Sequence, residues 1–251
     1  MADTENKAAE AAFFDKAYTE DSRAAVGRVY SIIRNRRLSY ERIIYENVAD
    51  KRVLEYGCGT GSHSLEMARK GADVVGIDIS EQGIRLATEQ AAAAGLSNAA
   101  YEVMDAEAMT FPDASFDLVI GEGILHHLEL EKCYAEISRV LKPGGKAVFM
   151  EPLGHNPAIV LFRRSTPGMR THDEHPLLKR DLDLAHKYFE NIRYEYHHLA
   201  SFGALPFVRT PVFRPLVNFL DAVDRGLFKV PGVGLLSWYV IMELGRSDTP
   251  A

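Results

Sequence analysis

The feature that most constrains this chain is an alternation. Between residues 51 and 151 five short apolar runs, "RVLEYG", "DVVGID", "AAYEVMD", "FDLVIG" and "KAVFME", are separated mostly by stretches with helical spacing. Runs that are apolar along their whole length are strands buried on both faces. Strands joined by helices run parallel, with the helices covering the sheet. A first helix is expected from about Ser62 to Lys70. "SEQGIRLATEQAAAAG" is a second, with Ser80 as its N-cap and Gly95 as its stop. "LEKCYAEISRVLKPGG" is a third, running to Gly144 and Gly145.

The flanks follow other rhythms. Residues 1–50 read as helical, with Ala8, Ala9, Ala12 and Phe13, then Val26, Val29, Ile32 and Ile33, at helical spacing. "SYERIIYENV" starts a helix with Ser39 as N-cap and Glu41 in the first turn. After Glu151 come prolines, histidines and two short helices, then "NIRYEYHHL", which alternates like a strand. "LLSWYVIMEL" is a buried closing strand with Trp238 in the core. Between these two strands Phe213, Leu216, Val217, Leu220, Val223 and Leu227 lie on one helix face. Two readings of that face stay open: core or homodimer interface, or a pocket for an apolar acceptor.

Composition removes several classes. A net charge of −6 with no basic clustering argues against a nucleic-acid surface. No apolar run reaches the length of a membrane span. Two cysteines, Cys58 and Cys133, stand in no metal-ligand spacing and suit a reduced compartment, so no metal is expected. The charged N-terminus has no apolar leader region, and a cytoplasmic protein is expected.

The chemistry centres on "VLEYGCGTG", residues 53–61. A dinucleotide fingerprint needs G-x-G-x-x-G, but Gly57, Gly59 and Gly61 spell G-x-G-x-G and Ser62 holds the next position. Asp78 ends the second strand, where a carboxylate can accept from two ribose hydroxyls. Asp105 ends the third, within reach of an adenine amino group. "FDLVIGEGILHHL" forms the fourth strand and its exit, and "LKPGG" precedes the fifth.

With these five features in order, the chain resembles a class I S-adenosylmethionine-dependent methyltransferase. It is most similar to the small-molecule branch that includes the ubiquinone/menaquinone methyltransferases. The resemblance covers residues 45–151 and, more loosely, the closing strand pair. It implies an α/β fold with a doubly wound, Rossmann-like, seven-stranded, mostly parallel sheet whose last strand is antiparallel. It also implies a single domain: a helical cap at 1–50, a cofactor core at 51–151, acceptor-site and lid segments at 152–235, and a closing strand at 236–245.

The cofactor implied is S-adenosyl-L-methionine, with S-adenosyl-L-homocysteine as product. Gly57, Gly59 and Gly61 would let the main chain pass beside its methionine part, and the following helix N-terminus favours the carboxylate. Glu55 would balance the ammonium or cap the turn. Asp78 would hold the ribose, Ile79 pack on the adenine, Asp105 and the amide of Ala106 read its edge, and Gly121 meet the ammonium. Tyr18, with Phe13 and Phe14, lies in a helix that in related enzymes closes over the cofactor.

The acceptor is expected to be a small, apolar or aromatic molecule. Candidate bases are His126 and His127 after the fourth strand, and His172 and His175 in "RTHDEHPL". Glu151 at the end of the fifth strand is a further candidate. Ser62 and His63 read as ordinary first-turn residues. Three rivals stand beside this reading. An NAD-dependent dehydrogenase is disfavoured by Ser62 and by "LKPGG". The others are a non-catalytic S-adenosylmethionine-binding protein and an enzyme that uses the same cofactor for other chemistry.

Overall fold

Period-two alternation sets the layers. In the computed structural model, which describes residues 2–19, 34–165 and 174–247, β1 (Arg52–Tyr56) sends Leu54 and Tyr56 to one side. Val53 goes to the other. Both sides are buried, so apart from Arg52 at its exposed start and Glu55 the strand is apolar. Burial on both sides also holds for most of β2 (Asp73–Asp78), β4 (Phe116–Glu122) and β5 (Leu141–Pro152). β3 (Ala99–Val103) is the exception: it forms the sheet edge and is largely solvent-facing. With β6 (Asn191–His197) and β7 (Tyr239–Gly245) the order is β3-β2-β1-β4-β5-β7-β6. The pairs among β1 to β5 are parallel, whereas β7 is antiparallel to both β5 and β6. This is the expected seven-stranded Rossmann-like sheet.

Helices cover both faces. α2 (Arg34–Tyr45) and α3 (Ser62–Arg69) pack Tyr40, Ile44 and Met67 against Val53, Val148 and Ile241. On the opposite face α5 (Leu130–Val140) and α7 (Lys179–Leu184) pack Tyr134, Ile137 and Leu182 against Leu54, Phe149 and Met242. α4 (Glu81–Ala93) is capped by Ser80, whose hydroxyl accepts from the Gly83 amide at 3.0 Å, and Gly95 follows its last turn at φ +67°. α1 (Ala2–Thr19), α6 (Pro157–Ser165) and α8 (Phe213–Leu227) are the remaining α-helices among the described residues.

Four local expectations need correction. Ser39 is not an N-cap: α2 already begins at Arg34, and Glu41 pairs with Arg37 one turn back. The helix before "LKPGG" stops at Val140, because Leu141 already pairs with Phe116, and the register resumes at Leu118 with Lys146. Trp238 is buried, but it stands just before β7 and belongs to a separate cluster with Ile159, Ala204, Phe213 and Val217. α8 exists as expected, yet only Phe213, Leu216, Val217 and Leu220 of the expected face join that cluster. Val223 and Leu227 are exposed, because Asp224 is the residue drawn inward at that end of the helix. Val26, Val29, Ile32 and Ile33 lie outside the described residues.

Candidate active site

Parallel strands deliver their carboxyl ends to one edge of the sheet, and the candidate residues meet there. β1 runs into the loop at Gly57–Gly61. Gly59 takes φ +51°, and a Cβ there would lie 2.7 Å from the Tyr18 hydroxyl, so backbone conformation and close approach both require glycine. The Gly59 amide donates to Asp78 Oδ2 at 2.8 Å, and the Ser80 amide donates to Oδ1 at 2.9 Å. Asp78 is buried; desolvation raises its pKa above the ordinary aspartate value despite those two bonds.

Glu55 lies on the α3 side of the sheet and accepts from the Ser64 amide at 2.9 Å. Its carboxylate therefore meets an otherwise unpartnered N–H in the first turn of α3, and burial raises its pKa. Asp105, past β3, accepts from the Glu107 amide at 2.9 Å. The neighbouring Ala106 carbonyl accepts from the Tyr56 hydroxyl at 2.6 Å. Ile79 is half-buried directly after Asp78. At the end of β4 a Cβ on Gly121 would meet Phe149 at 2.6 Å, and the Gly121 carbonyl accepts from Tyr40 at 2.9 Å.

α1 lies across these strand ends. Tyr18 packs on Gly59 and Gly83. Asp15 accepts from the Ser80 hydroxyl and from the Gln82 amide. Lys7 reaches Asp105 at 2.7 Å and Glu107 at 2.8 Å. Burial works against the Lys7 charge, but the two carboxylates hold its pKa above the ordinary lysine value. Glu10 stands 3.3 Å from His127 Nδ1.

The second group surrounds His126. Its Nδ1 is 2.7 Å from Glu151 Oε2, while Glu151 Oε1 accepts from the Ile124 and Leu125 amides, both at 2.9 Å. Nε2 is 3.6 Å from Glu174, which Arg163 holds from the other side at 2.5 Å. Burial opposes the imidazolium, yet the two carboxylates raise the His126 pKa to about 9 and that of Glu174 falls to about 2. His127 lies beside it, the ring centroids 4.2 Å apart and the planes tilted by 39°. The sequence pattern suggested no metal, but the fold brings donor atoms of His126, His127 and Glu174 within 4.8 Å of one another. Each of the three already has a side-chain neighbour: Glu151 for His126, Glu10 for His127 and Arg163 for Glu174. His175 contributes its amide to the His126 carbonyl at 3.0 Å, and its side chain is exposed. His172 lies outside the described residues.

Sequence reasoning missed a third group. Glu122 accepts from His63 Nε2 at 3.0 Å and faces Arg36 Nη2 at 3.3 Å; the Tyr45 hydroxyl lies 3.0 Å from the other His63 nitrogen. His63 is thus no ordinary first-turn residue. Arg36 is 3 % exposed, its guanidinium stacks over the Tyr239 ring at 3.6 Å, and among the described residues its Nε and Nη1 have no hydrogen-bond partner. The only signal in the sequence was spacing: Arg36 and Tyr40 are one helical turn apart, on the face that reaches Gly121 and Glu122.

Residues 53–145 match a family model described as a methyltransferase domain. A demethylmenaquinone methyltransferase of Thermus thermophilus is 40% identical over 106 residues, 41% of this chain and 48% of that protein. The chain thus spans about half the length of that relative. Phosphoethanolamine N-methyltransferase 2 of Haemonchus contortus, solved with S-adenosyl-L-methionine, superposes with TM-score 0.65 at 19% identity, over 93% of this chain and 60% of that one. The cyclase SpnF superposes with TM-score 0.59 at 22% identity, over 86% and 81%. At those identities the two structures share the fold. Over residues 53–145 the chain is similar to the methyltransferase domain of class I S-adenosylmethionine-dependent enzymes such as the quinone methyltransferases.

Proposed function

We propose that the protein transfers the methyl group of S-adenosylmethionine to a small, apolar or aromatic acceptor by in-line displacement. The observation that carries the reading is the convergence of the Gly59 turn, Asp78, Asp105 and Gly121 on one sheet edge, inside the segment that matches a methyltransferase domain. The relative that acts on demethylmenaquinone favours an aromatic, apolar acceptor.

The residues fit the cofactor. Asp78 would receive the ribose hydroxyls, Asp105 and the Ala106 amide the adenine edge, and Ile79 the adenine face. The partnerless N–H groups of Arg36, one turn from the tyrosine that holds Gly121, complement the methionine carboxylate. When bound, the cofactor supplies an electrophilic methyl on a sulfonium, so the protein has mainly to align the acceptor and exclude water. α1 is the element that excludes water, with Tyr18 over Gly59 and Lys7 on Asp105. Cofactor entry then requires Lys7 to release Asp105.

His126 takes a different part from the base foreseen in the sequence. With its pKa raised to about 9 it carries its proton at neutral pH. Both of its ring nitrogens face carboxylates, Glu151 at 2.7 Å and Glu174 at 3.6 Å, so it suits fixing those two acids beside the strand ends rather than taking a proton from the acceptor. The test is transfer of isotope from methyl-labelled S-adenosylmethionine into an apolar metabolite extract, read by mass spectrometry. A labelled aromatic or prenylated product is expected. Cofactor binding without any labelled product would overturn methyl transfer in favour of a binding protein or of other chemistry.

A further inference from the structure

Among the described residues, the exposed large hydrophobic side chains are concentrated in one segment of the chain. Of the ten exposed large hydrophobic residues among those described, seven lie between residues 207 and 236: Phe207, Val212, Phe219, Val223, Leu227, Val230 and Leu236. Single exposed hydrophobics are ordinary, but a clustered set marks a surface that meets something apolar. α8 organises it. Phe213 and Val217 face the cluster around Trp238, while Pro215, Phe219, Ala222, Val223, Gly226 and Leu227 share the outward side. Phe219, the largest of these, is 64% exposed.

The charges beside this face have one sign. Arg209, Arg214, Arg225 and Lys229 are all exposed. The segment has two acids. Asp224 is buried, with its carboxylate on the amides of Leu199, Ala200 and Ser201. Asp221 is mostly buried and lies 3.8 Å from His198 Nδ1. A chain with net charge −6 thus carries a locally cationic rim around an apolar stripe.

We infer that α8 and its flanking turns dock on the surface of an anionic membrane, the apolar stripe entering the headgroup boundary and the four cations meeting lipid phosphates. A helix with this arrangement lies in the interface plane and does not span it; no helix among the described residues is long and apolar enough to cross a membrane. A second copy is a poor occupant. A two-fold interface sets a patch against itself, and this one would bring its cations together while both acids of the segment are turned inward. The inference stands on α8 alone and holds whatever the acceptor is.

The experiment is flotation of the purified full chain with unilamellar vesicles, either phosphatidylcholine alone or phosphatidylcholine with phosphatidylglycerol. Binding to the anionic vesicles is expected, with little to the neutral ones and a marked loss at high salt. F219S/V223S should weaken binding by roughly tenfold or more, and R214E/R225E by a similar factor with the stripe intact. All four side chains are solvent-facing, so thermal unfolding of both variants should match the parent. No binding to anionic vesicles, or binding that both variants retain, overturns the inference. So does a stable dimer in light scattering that F219S/V223S converts to monomer.

Discussion

The two halves of the sheet edge anchor their polar side chains in opposite ways. At the ends of β1 to β3 the carboxylates rest on backbone amides nearby in sequence: Asp78 on Ser80, Asp105 on Glu107, Glu55 on Ser64. At the ends of β4 and β5 side chains are held largely by other side chains: His126 by Glu151, Glu174 by Arg163, Glu122 by His63 and Arg36. Backbone anchors tolerate little variation, because the amide positions are those of the loop itself. Side-chain anchors can be exchanged in sets. A fold that binds one cofactor and many acceptors needs the first kind where the cofactor lies and can vary the second kind elsewhere.

The sharpest way to break this comparison is Asp78→Ala. It removes the acceptor proposed for the ribose and also frees the Gly59 and Ser80 amides. Calorimetry should show S-adenosylmethionine affinity reduced by roughly 100-fold or more. Unchanged affinity would mean that the cofactor half is not where the amide-anchored carboxylates are.

Glu151→Gln tests the other half. It keeps the shape but discharges the partner of His126. Turnover should fall by roughly 30-fold and stability by about 2 kcal/mol, with cofactor affinity nearly intact. Equal losses in turnover and cofactor binding would dissolve the division between the halves.

Arg36 sits at the seam, between Glu122 of β4 and Tyr239 of β7. Arg36→Met should weaken cofactor binding by about tenfold if its free N–H groups meet the methionine carboxylate. A rise in the acceptor KM alone would move Arg36 to the acceptor side.

The smallest effect expected is in pH dependence. The folded-state pKa of His126, about 9, lies above its ordinary value of 6.5. Its contribution to stability is therefore complete below about 6.5 and is lost as pH rises through 9. Thermal unfolding should drop by a few degrees between pH 7 and 9.5, and His126→Gln should flatten that part of the profile. A parent protein with no decline over this window would show that the His126 carboxylates do not stabilise its charged form.

Much of the proposed cofactor half was legible from residues alone. The apolar runs, the glycine spacing, Ser80 and Gly95 at the ends of α4, and Asp78 at the end of β2 all express preferences local to the chain. Where local signals compete, reading fails. Ser39 is a good N-cap in isolation, but it lies inside a helix that starts earlier, and "LKPGG" reads as a helix terminus although pairing to Phe116 claims Leu141 for the sheet.

The sequence by itself therefore determined the parallel α/β core, its glycine turn and the acids beside it, because each depends on a spacing of a few residues. Tertiary structure alone decided that Glu151 holds His126 across 25 positions and that Arg36 meets Glu122 across 86. It alone decided that Val223 and Leu227 face outward. Those outcomes follow from strand order and from which end of α8 draws Asp224 inward. Both are set by the packing of the whole sheet, and no local periodicity encodes them.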